Sequence, residues 1–197
     1  FARAAYCCND ARLHEQEGQW CTEGDPMEGA LLALAGKISG QGGQAFGGHT
    51  RLDAVPFDAA HRYMAVLSLD SDGLPHIYVK GAPEALLAMC AQQRTPEGNA
   101  PLDADYWLQQ VEKLAEKGRR VLAVAERAAA AGQTALSSAD IAQSLQFIGL
   151  VGLIDPPRAE AVAAVQQCRE AGIQVKMITG DHAAAARAIA REVGLTP

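Results

Sequence analysis

Aromatic side chains are scarce in this chain, at 5% of its 197 residues, and alanine is abundant, so helices should pack closely and each ring calls for its own explanation. Basic residues are not in excess. The formal net charge is −6, whereas nucleic acids and anionic membranes both demand a basic surface, so neither is expected as a generic partner. Any anion must be caught by a few placed cations. No run approaches the roughly 18 apolar residues of a membrane helix, and the start lacks the basic, apolar and small-residue order of a signal peptide, which implies a soluble chain. An initiating Met is missing too, and the abrupt start at Phe1 reads as a cut from something longer. The five cysteines, Cys7, Cys8, Cys21, Cys90 and Cys168, form no CxxC pair and no Cys/His zinc spacing. Their odd number suits reduced thiols in a cytosolic setting, and no metal site is expected of them.

What is present is enough for a globular core: 49% of residues are hydrophobic and 20% charged, which allows one domain, or one domain and a piece of another. After an irregular start, Asp25-Pro26-Met27-Glu28 precedes an Ala/Leu-rich helix over residues 29–37, with Asp25 as cap and Glu28 three residues on. Residues 39–50 are rich in Gly and Gln and read as a mobile loop. Residues 62–69 and 76–79 flank Asp70-Ser71-Asp72-Gly73, whose Asp-Gly chemistry predicts a β-hairpin. Antiparallel pairing about that turn brings Arg62 and Tyr63 alongside Lys80 and Gly81, with Phe57 just beyond the same end. Further on, residues 105–117 predict an amphipathic helix stopped by Gly118, residues 120–125 a strand, and residues 147–154 another. From there a strand to Ile154, a helix over 159–171, a strand over 174–178 and a helix over 183–193 make a β-α-β-α series, the grammar of a parallel sheet.

Three motifs carry chemistry. Lys80-Gly81-Ala82-Pro83-Glu84 sets a cation at the end of a strand and starts a helix at once, because Pro83 suits the first helical position and Glu84 complements the helix dipole. A lysine is thereby held on a rigid corner, as a phosphate site needs. Asp155-Pro156-Pro157-Arg158 follows a strand, and its paired prolines fix φ and strip two N–H donors, making a stiff elbow. Thr179-Gly180-Asp181 follows the next strand and opens a helix, at the strand end where open α/β sheets bind ligands. Each residue also has a plainer reading: Glu28 suits a helix cap, Phe57 the core, Lys80 a solvated charge, and residues 179–181 a strand-to-helix cap.

Taken in order, Gly24-Asp25-Pro26-Met27-Glu28-Gly29-Ala30, Pro56-Phe57-Asp58 with Met64, Lys80 to Glu84, and Gly118-Arg119-Arg120-Val121-Leu122-Ala123 resemble the cytoplasmic ATP-binding region of P-type cation-transporting ATPases. The resemblance spans nearly the whole chain. It implies an α+β nucleotide-binding domain over residues 1–154, an antiparallel sheet flanked by helices, followed over residues 155–197 by a partial α/β, haloacid-dehalogenase-like β-α-β-α segment of the phosphorylation domain. It further implies that adenine stacks on Phe57, that Lys80 and Gly81 close the pocket, and that Glu28 approaches the adenine edge. Arg62 and Arg120 would be phosphate-side cations, with Met64 and Leu122 as apolar walls. Thr179 and Gly180 would face the transferred phosphoryl group, Asp181 would lie near the nucleotide, and Asp155, Pro156, Pro157 and Arg158 would form the hinge. ATP with Mg2+ is the implied ligand, on the cytoplasmic side of a membrane pump. The implied partners are the remaining phosphorylation and transmembrane domains of the same polypeptide.

The match departs from the family pattern at Ala59, where many relatives carry a basic residue, and at His61-Arg62 in place of a more usual Arg-Lys pair. Arginine's planar fork is not equivalent to a lysine, so nucleotide affinity is expected to be weak, about 4 to 6 kcal/mol. The family's Asp-Lys-Thr-Gly-Thr segment, with the phosphorylated aspartate, should precede Phe1, and its Gly-Asp-Gly-x-Asn-Asp segment should follow Pro197. The chain is accordingly expected to bind ATP without turning it over. No Cys-Pro-Cys or His-Pro signature of heavy-metal pumps occurs, which points toward calcium-like or related light-cation transporters, with proton and magnesium pumps as alternatives. Two rival readings stand beside this one. Asp70 and Asp72, after an apolar strand, resemble the nucleophile and acid/base of a haloacid-dehalogenase-type phosphatase, but a second strand begins only a few residues later, so a hairpin turn explains them. A docking module that keeps the fold without binding nucleotide is the other.

Overall fold

The computed structural model describes residues 1–40, 46, 48–154, 157–179 and 183–195. The chain divides into two compact units. One comprises Phe1–Asp105 and Leu122–Val151, the other Tyr106–Val121 and Gly152–Pro197.

The first unit is built on a seven-stranded sheet in the order β3-β4-β5-β8-β9-β6-β7. These strands are β3 (Thr50–Asp58), β4 (Tyr63–Leu69), β5 (Pro75–Gly81), β6 (Cys90–Thr95), β7 (Gly98–Pro101), β8 (Arg120–Ala128) and β9 (Leu145–Leu153). The pairs β3·β4, β4·β5, β5·β8 and β6·β7 are antiparallel, as the sequence suggests, but β6 and β9 run parallel, so the sheet is mixed. A separate hairpin joins β1 (Arg12–Gln16) to β2 (Gln19–Glu23). Helices α1 (Ala2–Cys7) and α2 (Pro26–Ser39) complete this part of the fold, with α3 (Pro83–Met89) directly after β5 and the short α5 (Ser138–Ile141) before β9. The arrangement is α+β.

Local chemistry explains the elements that hold the site. The Asp25 side chain accepts from the backbone N–H groups of Met27 and Glu28, and α2 ends at Gly40 in the left-handed conformation. Gly36 lies inside the helix, which continues to Ser39. In the β4–β5 hairpin, Asp70 Oδ1 accepts from Asp72 N at 3.0 Å and from Leu74 N at 2.8 Å. Those bonds make Asp70 a turn residue and hold its carboxyl below the usual range. The register is Tyr63↔Gly81 and Met64↔Lys80, the convergence that the hairpin reading anticipates. Packing at that corner is tight: a Cβ on Gly81 would stand 2.5 Å from the Arg62 carbonyl oxygen and 2.7 Å from Tyr63 Cα.

The core of this unit lies between α1 and one face of the sheet, where Ala4 and Cys8 meet Met64, Val66, Tyr78 and Val124. Alternation along the strands accounts for that set, since Met64 and Val66 on β4 share parity, as do Tyr78 and Lys80 on β5.

In the second unit, α4 (Ala104–Ala115, counted from Tyr106), α6 (Ala159–Glu170) and α7 (Ala183–Glu192) are the regular elements. The Gly118 turn approaches α7 closely enough that a Cβ there would lie 2.7 Å from that of Ala188, and Arg169 Nη1 donates to the Gly194 carbonyl at 2.8 Å. Both helices of the expected β-α-β-α series form. Residues 174–178, expected as a strand, take part in no ladder, and the strand ending near Ile154 is β9, built into the seven-stranded sheet. A strand exists only through pairing, and apolar composition without a neighbour to bond does not produce one.

Two measurements test this account of the first unit. Gly81→Ala should lower stability by about 1–3 kcal/mol, because backbone rather than a flexible side chain must move; an unchanged urea midpoint would refute the close approach. Asp53 accepts from Leu136 N at 2.7 Å and Ala54 N at 2.8 Å, and these backbone bonds hold its carboxyl below the ordinary value. Its stabilisation is therefore present above the usual carboxylate pKa and lost as pH falls through the depressed one. Asp53→Ala should weaken the fold at neutral pH and flatten the acid limb of the stability curve.

Candidate nucleotide site

Helix α2 and strand β5 each deliver one charge to the same buried point. Glu28, in the first turn of α2, and Lys80, near the end of β5, form an ion pair through Oε1 and Nζ, with side-chain exposures of 15% and 9%. Lys80 Nζ also donates to the Cys8 carbonyl at 2.6 Å, and Glu28 Oε2 accepts from Asp10 N at 3.1 Å. Both plainer readings therefore fail: Lys80 is not a solvated charge, and the Glu28 carboxylate turns to Lys80 and Asp10 while the Asp25 side chain serves as the cap.

The apolar neighbours follow from register. Met64, 1% exposed, stands opposite Lys80 on β4, and Val124 stands opposite it on β8. Leu122, two residues before Val124 and hence on the same face, is half-buried. On the edge strand β3, Pro56 and Phe57 together face the single residue Met64, between the pairs Val55↔Ala65 and Asp58↔Tyr63. Such a bulge bends an edge and re-aims a side chain, and Pro56, with no N–H to donate, suits it. Phe57 is 64% exposed, so it is not a core residue. The ring is thus open to contact from outside the sheet.

Arg62 is exposed at the β3–β4 turn, with Nη1 4.0 Å from Glu84 Oε2 and a left-handed φ of 59°. Its backbone explains the strain: Arg62 N donates to Asp58 O at 2.7 Å, and Arg62 O accepts from Ala82 N at 2.9 Å, joining this turn to the Lys80 corner. Arg120 opens β8, is exposed, and belongs to the second unit. Thr179, also in that unit, is exposed between α6 and α7. Pro157 is half-buried and Arg158 is the N-cap residue of α6 without a side-chain cap bond. Gly180, Asp181, Asp155 and Pro156 lie outside the described residues.

Three contributors escaped sequence reasoning: Cys8, Asn9 and Asp10. Asn9 Nδ2 donates to the Ala5 and Glu28 carbonyls at 3.2 and 2.9 Å, and its Oδ1 accepts from Ala11 N at 2.9 Å. The only local signal is the Asn-Asp pair, a turn signature. Cys8 Sγ donates to the Met64 carbonyl at 3.4 Å, and burial pushes its thiol up to about 12, against the opposing pull of Lys80. Asn9 also lines a cavity of about 380 Å³ with Tyr6, Arg12, His49, Arg51 and Ser68, and Arg51 pairs with the exposed Asp10 at 2.5 Å. Among the described residues no group of three or more His, Cys, Asp or Glu is arranged to hold a metal ion, and no helix is long and apolar enough to cross a membrane.

The first unit is an α+β domain with a buried Lys–Glu pair and an exposed phenylalanine on its edge strand, and comparison with known proteins gives its family. Residues 1–160 match the family model described as P-type ATPase, cytoplasmic domain N. The chain is 44% identical over 189 residues to the cation-transporting ATPase pma1 of Synechocystis, covering 95% of this chain and 21% of that protein. It is 41% identical to the probable cation-transporting ATPase F of Mycobacterium tuberculosis, over 98% of this chain and 21% of the relative. For a calcium-transporting ATPase of Bacillus subtilis the identity is 36%, over 96% of this chain and 22% of the relative. This chain belongs to the P-type cation-transporting ATPase family, and it spans about a fifth of the length of these relatives.

The ion pair makes a sharp energetic prediction. Lys80→Met alone leaves Glu28 buried without its partner and should cost about 3–5 kcal/mol. Adding Glu28→Met should recover most of that loss. Strictly additive losses in a denaturant-based double-mutant cycle would show that the two charges do not depend on each other.

Proposed function

We propose that this chain is the nucleotide-binding module of a cation pump, with residues 1–154 as the nucleotide-binding domain and residues 155–197 as part of the phosphorylation domain. The observation that carries the reading is Phe57: an exposed ring, in an edge bulge, one strand away from the wall that ends at Lys80 and Glu28. Adenine stacks on that ring, which supplies about 1–3 kcal/mol and tolerates any ring substituent. Glu28 receives the exocyclic amine edge of the base. Lys80, with one proton beyond those given to Cys8 and Glu28, and Arg62 attract the anionic tail. Met64 and Leu122 give the base an apolar boundary, Gly81 keeps the corner tight, and Arg120 reaches toward the phosphates. Mg2+ arrives with the triphosphate.

In the intact pump the γ-phosphoryl passes to a carboxylate of the Asp-Lys-Thr-Gly-Thr type, a segment this chain does not contain. An aspartate oxygen bonds to phosphorus, the bond to the β-γ bridging oxygen breaks, and ADP leaves. Thr179, Gly180 and Asp181 attend that transfer from the phosphorylation domain, while Asp155, Pro156, Pro157 and Arg158 form the elbow between domains, on the cytoplasmic side of the membrane. By itself the chain binds Mg-ATP without hydrolysing it. The names of its relatives support a cation as cargo.

Titration of the 197-residue chain with Mg-ATP, followed by backbone amide shifts, tests the reading. Shifts should cluster at Phe57, Lys80 and Glu28, and Phe57→Ala should weaken binding by about 5- to 150-fold, the equivalent of one stacking contact. An unresponsive spectrum, or affinity indifferent to Phe57, would return the chain to the docking-module reading.

A further inference from the structure

The two residues that supply backbone groups to the Lys80–Glu28 pair are Cys8 and Asp10, and between them stands Asn9. Asn9 touches neither charged group. Its side chain instead gives one amide proton to Ala5 O in α1 and the other to the Glu28 carbonyl in α2, and accepts from Ala11 N just before β1. Both donors and the oxygen are thus committed, to α1, to α2 and to the residue before β1. The backbone they hold is irregular: Cys8, the C-cap of α1, has φ −89° and ψ 68°, outside helix and strand, so no ladder fixes it.

We infer that Asn9 is a positioning residue for the nucleotide pocket: by locking the α1–β1 turn to both helices, it aims the Cys8 carbonyl and the Asp10 N–H at the Lys80–Glu28 pair. An ammonium group has three protons. With two directed at the Cys8 carbonyl and at Glu28, the direction of the third is set, and that proton is the one left for a ligand. If the turn relaxes, the Cys8 acceptor drifts, Glu28 loses the Asp10 donor, and the ammonium reorients, although no group facing the nucleotide has been altered. This inference rests on Lys80 and Glu28 belonging to the nucleotide pocket.

Asn9→Ala and the isosteric Asn9→Asp, which keeps an acceptor for Ala11 N but has no protons for the two carbonyls, are the informative variants. Each should weaken Mg-ATP binding by about tenfold, the value of one to two hydrogen bonds. A general loosening of the fold would broaden many signals. Here the Lys80 ammonium resonance and the Asp10 amide should broaden or shift while core amides such as Val66 and Phe147 stay in place. In the unsubstituted chain, the Asn9 side-chain amide protons should move in step with Asp10 as Mg-ATP saturates the site, a readout that survives even if both variants fail to fold. Unchanged affinity in a folded variant, or an Asn9 side chain that stays still while Phe57 and Lys80 respond, overturns the role of Asn9 alone. No response at Phe57 and Lys80 in the unsubstituted chain overturns the pocket and this inference together.

Discussion

A single buried ion pair organises one end of the sheet. Lys80 comes from the last strand of the hairpin meander, Glu28 from a helix far away in sequence, and the carbonyl that shares the ammonium from a third element, so the contact fixes α1, α2 and β5 at one point. Taking two charges out of water is expensive, and an apolar pair of similar volume would often serve stability as well. That makes stability a poor explanation for its presence. What the pair does is hold one ammonium in place between α1, α2 and β5.

The other half of the site is built from backbone constraints. Pro56 and Phe57 share one partner across the edge of the sheet, Arg62 sits in the left-handed region, and Gly81 lets two strands approach more closely than any side chain would allow. Each departs from regular strand geometry, and together they bring the exposed Phe57 and Arg62 to the end of the hairpin where Lys80 is buried. Departures that cost free energy persist where surrounding bonds over-determine them, and the Arg62 turn is bonded on both sides, to Asp58 and to Ala82.

Much of this was legible in the sequence wherever the cause was local. Asp25 ahead of Pro26 announces the start of α2, the Asp-Gly turn sets the β4–β5 register, and Pro83 starts α3. The elements that escaped are those whose order comes from pairing. Strands β1, β2, β6 and β7 are short and largely polar, β3 carries a proline and lies at an edge, and none alternates cleanly enough to stand out. Residues 174–178 show the converse, being apolar enough to read as a strand and yet unpaired in the sheet. The site was half legible for the same reason. Phe57, Met64, Lys80 and Glu28 could be named from motifs and hairpin geometry, whereas Cys8 and Asp10 enter through main-chain groups, which every residue possesses and no sequence pattern advertises, and Asn9 through a side chain that bonds only to backbone.

The parallel alignment of β6 with β9 has a consequence for how the chain comes into being. On a ribosome, the β3–β4–β5 meander can close as soon as it emerges, because each strand meets the next across a short turn. The β6–β7 hairpin cannot join the same sheet until β8 and β9, made much later, arrive to fill the gap between it and β5. During that interval an unsatisfied strand edge is open on a nascent polypeptide, and loop closure over such a distance is slow. The polar residues of β6, which make it nearly invisible to pattern reading, are the same ones that keep the waiting edge from recruiting the wrong neighbour.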